Sequence, residues 1–360
     1  MHRLSRYLPL LVLLLGCELV DELNPGVPEG PVPETLPDAP VVLTDSLPLR
    51  QASLFRDERQ QIWVLTRNSA IYQLSGGQLT RITSLPDSAA NERMDRFSWA
   101  VRDGVVWYVV NRGALSAEGM KTYFYRFANG AWQAFPALTT ALFGFNFALD
   151  GDLHPLFLVR QDKSIRLVRF DGQRITEVPA STLGTAHSSI EGIFQAPSGD
   201  IWLYNTNGRR RHQLLRLSPD LQPIRGYDLA GVYSSDARNE GPRFSSMHSG
   251  LNGTLFWNAS FGSCSTPSLA VLSSQNTWQT LAPPQFPDPC SGIAFRQVVE
   301  VRPGEYLLGG DGLFHYKNGV WTGRPDQFRN GTAYGTSLLR EDNGTIWYST
   351  SARIYRVAVR

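Results

Sequence analysis

The chain has 360 residues, 42% hydrophobic and 18% charged, which is enough to bury a sizeable core in one large domain or two ordinary ones and excludes both a disordered chain and a membrane-spanning bundle. A formal net charge of +2 and a pI near 8.4 fall short of the basic footprint of a nucleic-acid binder. Only Lys121, Lys163 and Lys317 are lysines, and the arginine bias reads as coding preference because most arginines are not clustered.

Met1-His2-Arg3-Leu4-Ser5-Arg6 carries positive charge, and Leu8 to Leu15 is an apolar run too short to cross a bilayer as a helix. That pattern predicts an export signal over residues 1–17, ending in Leu14-Leu15-Gly16-Cys17. The ending resembles the lipobox of bacterial lipoproteins, although Leu15 stands where that family has a smaller residue. The resemblance implies lipidation at Cys17 and membrane attachment through several acyl chains, each buried CH₂ contributing about 0.8 kcal/mol. Glu18 rather than Asp after the cysteine implies the outer membrane in an organism that has one. The alternative is an ordinary cleaved signal with an incidental cysteine.

Residues 18–39 carry Pro25, Pro28, Pro31, Pro33 and Pro37, interleaved with Asp21, Glu22, Glu29, Glu34 and Asp38. Proline fixes extended backbone and like charges repel, so this stretch is read as a semi-rigid tether. A domain is expected over residues 40–360.

Within that domain, apolar segments of period two recur at the spacing of propeller blades. They open at Ile62-Trp63, Val106-Trp107, Leu156-Phe157, Ile201-Trp202, Leu255-Phe256, Tyr306-Leu307 and Ile346-Trp347. Further strands follow, joined by Gly76-Gly77, Asn129-Gly130 and Asp171-Gly172, dipeptides suited to hairpin turns that need positive φ. A fourth strand is read at Ala131-Trp132 and Val320-Trp321. The expectation is an all-β, seven-bladed β-propeller of four-stranded antiparallel blades; a two-sheet sandwich is the alternative. The last unit supplies only three strands, so Pro40-Val41-Val42-Leu43-Thr44 is expected to complete it and close the ring.

Gly312-Leu313-Phe314-His315-Tyr316-Lys317-Asn318-Gly319-Val320-Trp321 together with Asp342-Asn343-Gly344-Thr345-Ile346-Trp347 resembles the propeller repeats in the periplasmic sensor regions of two-component regulators. That resemblance covers residues 50–360 and implies the fold. No transmembrane helix or kinase segment follows, so signalling is not implied. Asp342-x-Gly344-x-x-Trp347 also resembles part of the Asp-box of sialidases, but Arg340 replaces that motif's serine and no other repeat carries it well.

On a propeller plan, the connections Asn111–Lys121, Asn205–His212, Leu229–Pro242, Ala259–Pro267 and Ala282–Ser291 gather on one face. Connections longer than a blade needs are where binding function is usually carried; the bland alternative is loop variation without consequence. Cys264 and Cys290 fall on two of them, and an exported protein meets an oxidising compartment, so a disulfide is expected, with a pair of free thiols as the alternative. Arg209-Arg210-Arg211-His212 is the single basic cluster, able to hold an anionic sugar, phosphate or lipid head group, or simply solvated on a turn. Starts of innermost strands place Arg96, His187, Arg243 and Tyr334 near the channel mouth as candidate ligand contacts.

No His-x-x-x-His or Cys-x-x-Cys spacing, Gly-x-Ser-x-Gly elbow or phosphate loop occurs. No cofactor or metal and no catalytic residue is therefore assigned. Asp150-Gly151-Asp152 starts like a calcium loop, but the ligand series stops there and the stretch is read as a turn. The functional expectation is an exported, lipid-anchored binding or interaction module of the cell envelope with a protein or glycan partner on the long-loop face. The alternatives are an envelope polysaccharide lyase or hydrolase acting at the channel mouth, and a scaffold subunit.

Overall fold

In the computed structural model, described residues run from 41 to 360 except 50–51, 67–69, 87–95, 113–120, 139–146, 162–163, 180–182, 184–187, 197, 208–210, 229–242, 250–254, 261–267, 274–276, 282–294, 311, 324–336 and 351–352. Among them no helix is long and apolar enough to cross a membrane.

The strands form seven four-stranded antiparallel sheets. The first strand is β1 (Val41–Leu47). Blade one comprises β2 (Ala52–Arg56), β3 (Ile62–Thr66), β4 (Ala70–Ser75) and β5 (Gln78–Ser84). Blade two is β6 (Arg96–Arg102), β7 (Val105–Arg112), β8 (Lys121–Ala128) and β9 (Ala131–Ala134). Blade three follows as β10 (Ala148–Leu149), β11 (Pro155–Gln161), β12 (Ser164–Phe170) and β13 (Ile175–Glu177). Blade four has β14 (Ser188–Gln195), β15 (Ile201–Asn207), β16 (Arg211–Leu217) and β17 (Pro223–Asp228). Blade five has β18 (Arg243–Ser249), β19 (Leu255–Ser260), β20 (Ser268–Leu272) and β21 (Trp278–Leu281). Blade six has β22 (Phe295–Arg302), β23 (Glu305–Gly310), β24 (Leu313–Lys317) and β25 (Val320–Thr322). Blade seven is built from β26 (Ser337–Arg340), β27 (Ile346–Ser349) and β28 (Ile354–Val359).

Strand β1 adds to β28 as the outer strand of blade seven, with Val41 opposite Val359, Leu43 opposite Val357 and Leu47 opposite Ile354. The sequence-based expectation of seven blades and an N-terminal closing strand holds. The seven apolar segments read from the sequence are the second strands β3, β7, β11, β15, β19, β23 and β27. One turn differs from its expected form. Asn129-Gly130 has positive φ at both residues, as a two-residue hairpin requires. At Asp171-Gly172 only the glycine does, because the Asp171 carboxylate accepts hydrogen bonds from the Gln173 and Arg174 amides and shapes a longer turn.

The core lies between blades rather than at one centre, because each sheet buries both faces against its neighbours. Trp347 packs with Leu54, Ile62 and Val64 of blade one. Trp63 packs with Trp99, Val101 and Tyr108 of blade two. Trp107 lies with Phe157, Val168 and Phe170 of blade three. Innermost strands sit side by side around the ring, β26 against β2 and β22, and β18 against β14 and β22. A ring of inner strands leaves one row of backbone groups without a ladder partner. Side chains of a neighbouring blade satisfy part of that row. The Leu54 amide donates to Ser337 Oγ at 3.0 Å, the Leu149 amide to Gln195 Oε1 at 2.9 Å and the Leu338 amide to Gln297 Oε1 at 3.1 Å.

Blade six also buries charge. Glu305 Oε1 lies 2.9 Å from His315 Nε2 and 3.4 Å from Lys317 Nζ, with Glu305 and His315 both buried. Burial pushes the Glu305 carboxyl up, but the His315 hydrogen bond and the Lys317 charge outweigh it and hold the group below the ordinary carboxylate range. The folded chain therefore favours ionised Glu305, and its contribution is present above the unfolded carboxylate range and lost as pH falls through the depressed value. Thermal melts of wild type and Glu305→Gln between pH 7 and pH 3 should show the variant weaker by about 2 kcal/mol at pH 7. The gap should close towards pH 3; a gap of constant size would show that Glu305 ionisation contributes nothing.

Candidate functional site: a channel with two unlike ends

Connections from inner to second strands and from third to outer strands lie at one end of the propeller. Those from second to third strands and between blades lie at the other. The first end is made of short turns held by ion pairs. Arg102, at the end of β6, places Nε 2.9 Å from Glu58 Oε1 of blade one, while its Nη1 donates to the carbonyls of Leu149 and Asp150 in blade three at 3.2 and 3.1 Å. The Asp103 amide donates to Glu58 Oε2 at 3.3 Å. A Cβ on Gly199, in the blade-four turn, would stand 3.1 Å from Arg102 Nη2 and 3.7 Å from Glu58 Oε1, and that glycine has φ of +85°. Groups from blades one to four thus meet at this end. Burial raises the Glu58 carboxyl pKa, against backbone hydrogen bonds and the Arg102 charge, which lower it.

Other arginines at this end are partnered in the same way. Arg169 Nε lies 2.6 Å from Asp150 Oδ2, and its Nη2 lies 2.5 Å from Asp152 Oδ2 and 2.7 Å from His154 Nδ1. Asp150, Asp152 and His154 offer ligand atoms close enough together to hold an ion, but the Arg169 guanidinium already supplies the positive charge they face. The Asp150 Oδ1 atom accepts the Asp152 and His154 amides at 3.0 and 2.8 Å, so Asp150-Gly151-Asp152 is the turn between β10 and β11. Arg216 pairs with Asp200 through Nε and Nη2, and Arg56 pairs with Asp342 and donates to the Arg340 carbonyl at 3.1 Å. Positive charge here is consumed by structure.

The opposite end carries the sequence-predicted candidates. Arg96 is the first residue of β6, opposite Asn111. Arg243 is the first of β18, opposite Ser260. These two positions correspond in blades two and five, and both stand where inner strands begin. Arg211 opens β16, opposite Asn207. The topology brings Arg96 and Arg243 to the inner ring and Arg211 to a third strand of the same end. His187, Arg209, Arg210, Tyr334, Cys17 and the proposed pair Cys264 and Cys290 lie outside the described residues. The segments 229–242 and 282–294 join outer strands to the next inner strands, and 261–267 joins β19 to β20, so all three attach at this end.

Sequence reasoning missed a further feature of the same end. Three consecutive inner strands each carry an extra residue in their pairing with the second strand: Glu191 between Ile190 and Gly192, Ser245 between Phe244 and Ser246, and Arg296 between Phe295 and Gln297, and the last of them has a second, Val301, between Glu300 and Arg302. Glu191 is exposed, and its charge adds to burial in pushing the phenol of buried Tyr204 above its ordinary range, burial being the larger cause. Nothing in the alternation of residues announces such bulges, because only the partner strand defines the count.

Over 89% of its length the chain matches a streptogramin B lyase, covering 98% of that chain with a TM-score of 0.51 and 13% identity. It matches YCF48 bound to D1 peptide over 91% of this chain and 98% of that one, with a TM-score of 0.52 and 14% identity. It also matches the extracellular domain of a protein from B. thetaiotaomicron titled a one component system, with a TM-score of 0.50 and 13% identity, spanning 87% of this chain but only 39% of that one. No protein-family model and no curated protein matches the chain. At these identities the likeness is one of fold, and the fold shared is a β-propeller.

Proposed function

We propose that the protein is an exported, lipid-anchored binding module of the cell envelope, attached through Cys17, that holds a protein or glycan partner on the face where second strands turn into third strands and blades succeed one another. One observation carries this reading. The two ends of the propeller are unlike, one made of short turns tied together by the Glu58–Arg102 contact, the other receiving the long connections 229–242, 261–267 and 282–294. Long connections supported on a ring of strands are where binding is usually carried. The export signal and lipobox-like Cys17 supply the location.

The test is capture from solubilised envelope, comparing the full chain with one whose segments 229–242 and 261–267 are shortened to Gly-Ser links, each first checked for wild-type melting. Binding predicts that a partner is retained by the full chain alone, and that Cys17→Ala moves the protein from the membrane pellet to the soluble fraction. Retention by both forms would overturn the face assignment. Degradation of envelope glycan by the purified chain would replace the binding reading with a lyase or hydrolase.

A further inference from the structure

The direction of β1 fixes where the chain enters the propeller. Second strands run away from the short turns, third strands return to them, and outer strands run away again. In blade seven the turn that closes with the Glu341 amide on the Thr345 carbonyl opens β27 at Ile346. Ile346 pairs with Val357 of β28, and Val357 pairs with Leu43 of β1. Val41 pairs with Val359, two residues further on, so β1 begins at the short-turn end. The proline- and acid-rich stretch 18–39 precedes it in the chain and therefore joins the ring at that end, on the outer edge of blade seven. The opposite face is well separated from this point of entry. Strand β8 crosses the height of a blade from Lys121 to Ala128 with 8 residues, which is roughly 25 Å at about 3.3 Å per residue.

An anchor at Cys17 thus holds the propeller by the end opposite the connections 229–242, 261–267 and 282–294. An extended proline-rich run over residues 18–39 reaches at most about 70 Å, at about 3.1 Å per residue. To bring the long-loop end against the bilayer, that run must first double back along the whole outer edge of β1. Charge does not draw the short-turn end flat onto lipid either. Exposed Asp103, Asp152, Asp171, Asp220 and Asp342 stand among its arginines, a surface of mixed sign, whereas attraction to anionic head groups takes a polybasic cluster.

From this geometry, and resting on the anchor and the binding face proposed above, we infer that the anchored protein turns its short-turn end to its own bilayer and presents the long-loop face to the aqueous compartment beyond. The partner of that face is a macromolecule of the aqueous compartment, reached across the gap that the tether spans. Lipids of the anchoring bilayer are not its ligand. This removes their head groups from the anions open to the segment Arg209–His212, which is set where β15 passes to β16 at the far end.

Energy transfer from the lipidated full chain to a rhodamine head-group acceptor in phospholipid vesicles tests the orientation. The lysines mark the two ends. Lys121 is exposed at the start of β8 and Lys163 lies in the connection from β11 to β12, both at the long-loop end, whereas Lys317 is exposed at the close of β24, at the short-turn end. Replacing two of the three by arginine leaves one side-chain amine for a donor dye. Transfer from the Lys317 chain should exceed that from the Lys121 chain about twofold or more, because the ends differ in height by roughly 25 Å. Arg302→Lys in a chain without other lysines supplies a second short-turn donor that leaves the Lys317–Glu305 contact out of the labelling. Equal transfer from the two ends, or more from Lys121, would overturn the orientation and leave loop-dependent capture of a partner standing. Flotation of the Cys17→Ala chain with the same vesicles, lost on shortening 229–242 and 261–267, would make those lipids a ligand of the loop face and overturn the inference. Flotation of Cys17→Ala that survives the shortening would instead overturn the anchor reading.

Discussion

Deletion of residues 41–47 is expected to lower the melting temperature by roughly 10–20 °C or to prevent folding, at about 2–4 °C per kcal/mol for a chain of this size class. Strand β1 pairs with β28 from Val41–Val359 to Leu47–Ile354 and places Val41 and Leu43 against Val299, Leu307 and Leu338, while Leu47 joins the cluster of Leu54 and Trp347. Val41 is buried and Leu43 and Leu47 are partly buried, together contributing roughly 3–6 kcal/mol. Removal also exposes β28 as an edge, so soluble aggregates should appear alongside the melting change. Differential scanning fluorimetry with size-exclusion chromatography reads both. A truncated chain that melts like wild type and runs as a monomer would show that closure through β1 is dispensable.

Trp107→Ala is the single substitution expected to cost most, about 3–5 kcal/mol. The indole is 2% exposed, stacks on Phe135 at 5.1 Å and meets Phe170 edge-on at 6.1 Å. Its Nε1 donates to the Leu153 carbonyl at 2.8 Å, tying blade two to the turn of blade three. Trp107→Phe keeps most of the ring packing and loses that donor, so it should cost about 1 kcal/mol from the missing hydrogen bond plus the smaller ring's lost contacts. Urea unfolding of the two variants separates these contributions; equal losses would assign the whole effect to the hydrogen bond.

Architecture was legible because a blade is a local object. Alternating residues such as those of Ile62–Leu65 and Ile346–Tyr348, set after polar turns, mark the second strands one by one, and Gly344 does take the positive φ of +89° that its turn needs. The closing strand came from counting, since the last repeat had three strands and one apolar segment remained at Val41–Thr44. Links between distant residues left no such mark. Glu58 and Arg102 meet through folding of separate blades, and Glu305 and His315 look like ordinary polar strand positions until burial reveals them as a pair. The placement of Arg96 and Arg243 at the starts of inner strands was legible because each follows a long connection and precedes an apolar strand. The bulge residues Glu191, Ser245 and Arg296 were not, because one extra residue is visible only against its partner strand.

Pairing of Val41 with Val359 sets the order of assembly. Of the described strands, the first to leave the ribosome cannot find its partner until the last has arrived. Every other ladder joins strands that are close in the chain and can zip as they emerge. Loop closure over nearly the whole domain comes last and is the slow, non-local step. Until then the unfinished ring exposes two open edges, so the interval between release of β28 and docking of β1 is when this protein is most exposed to proteases and to pairing with another copy.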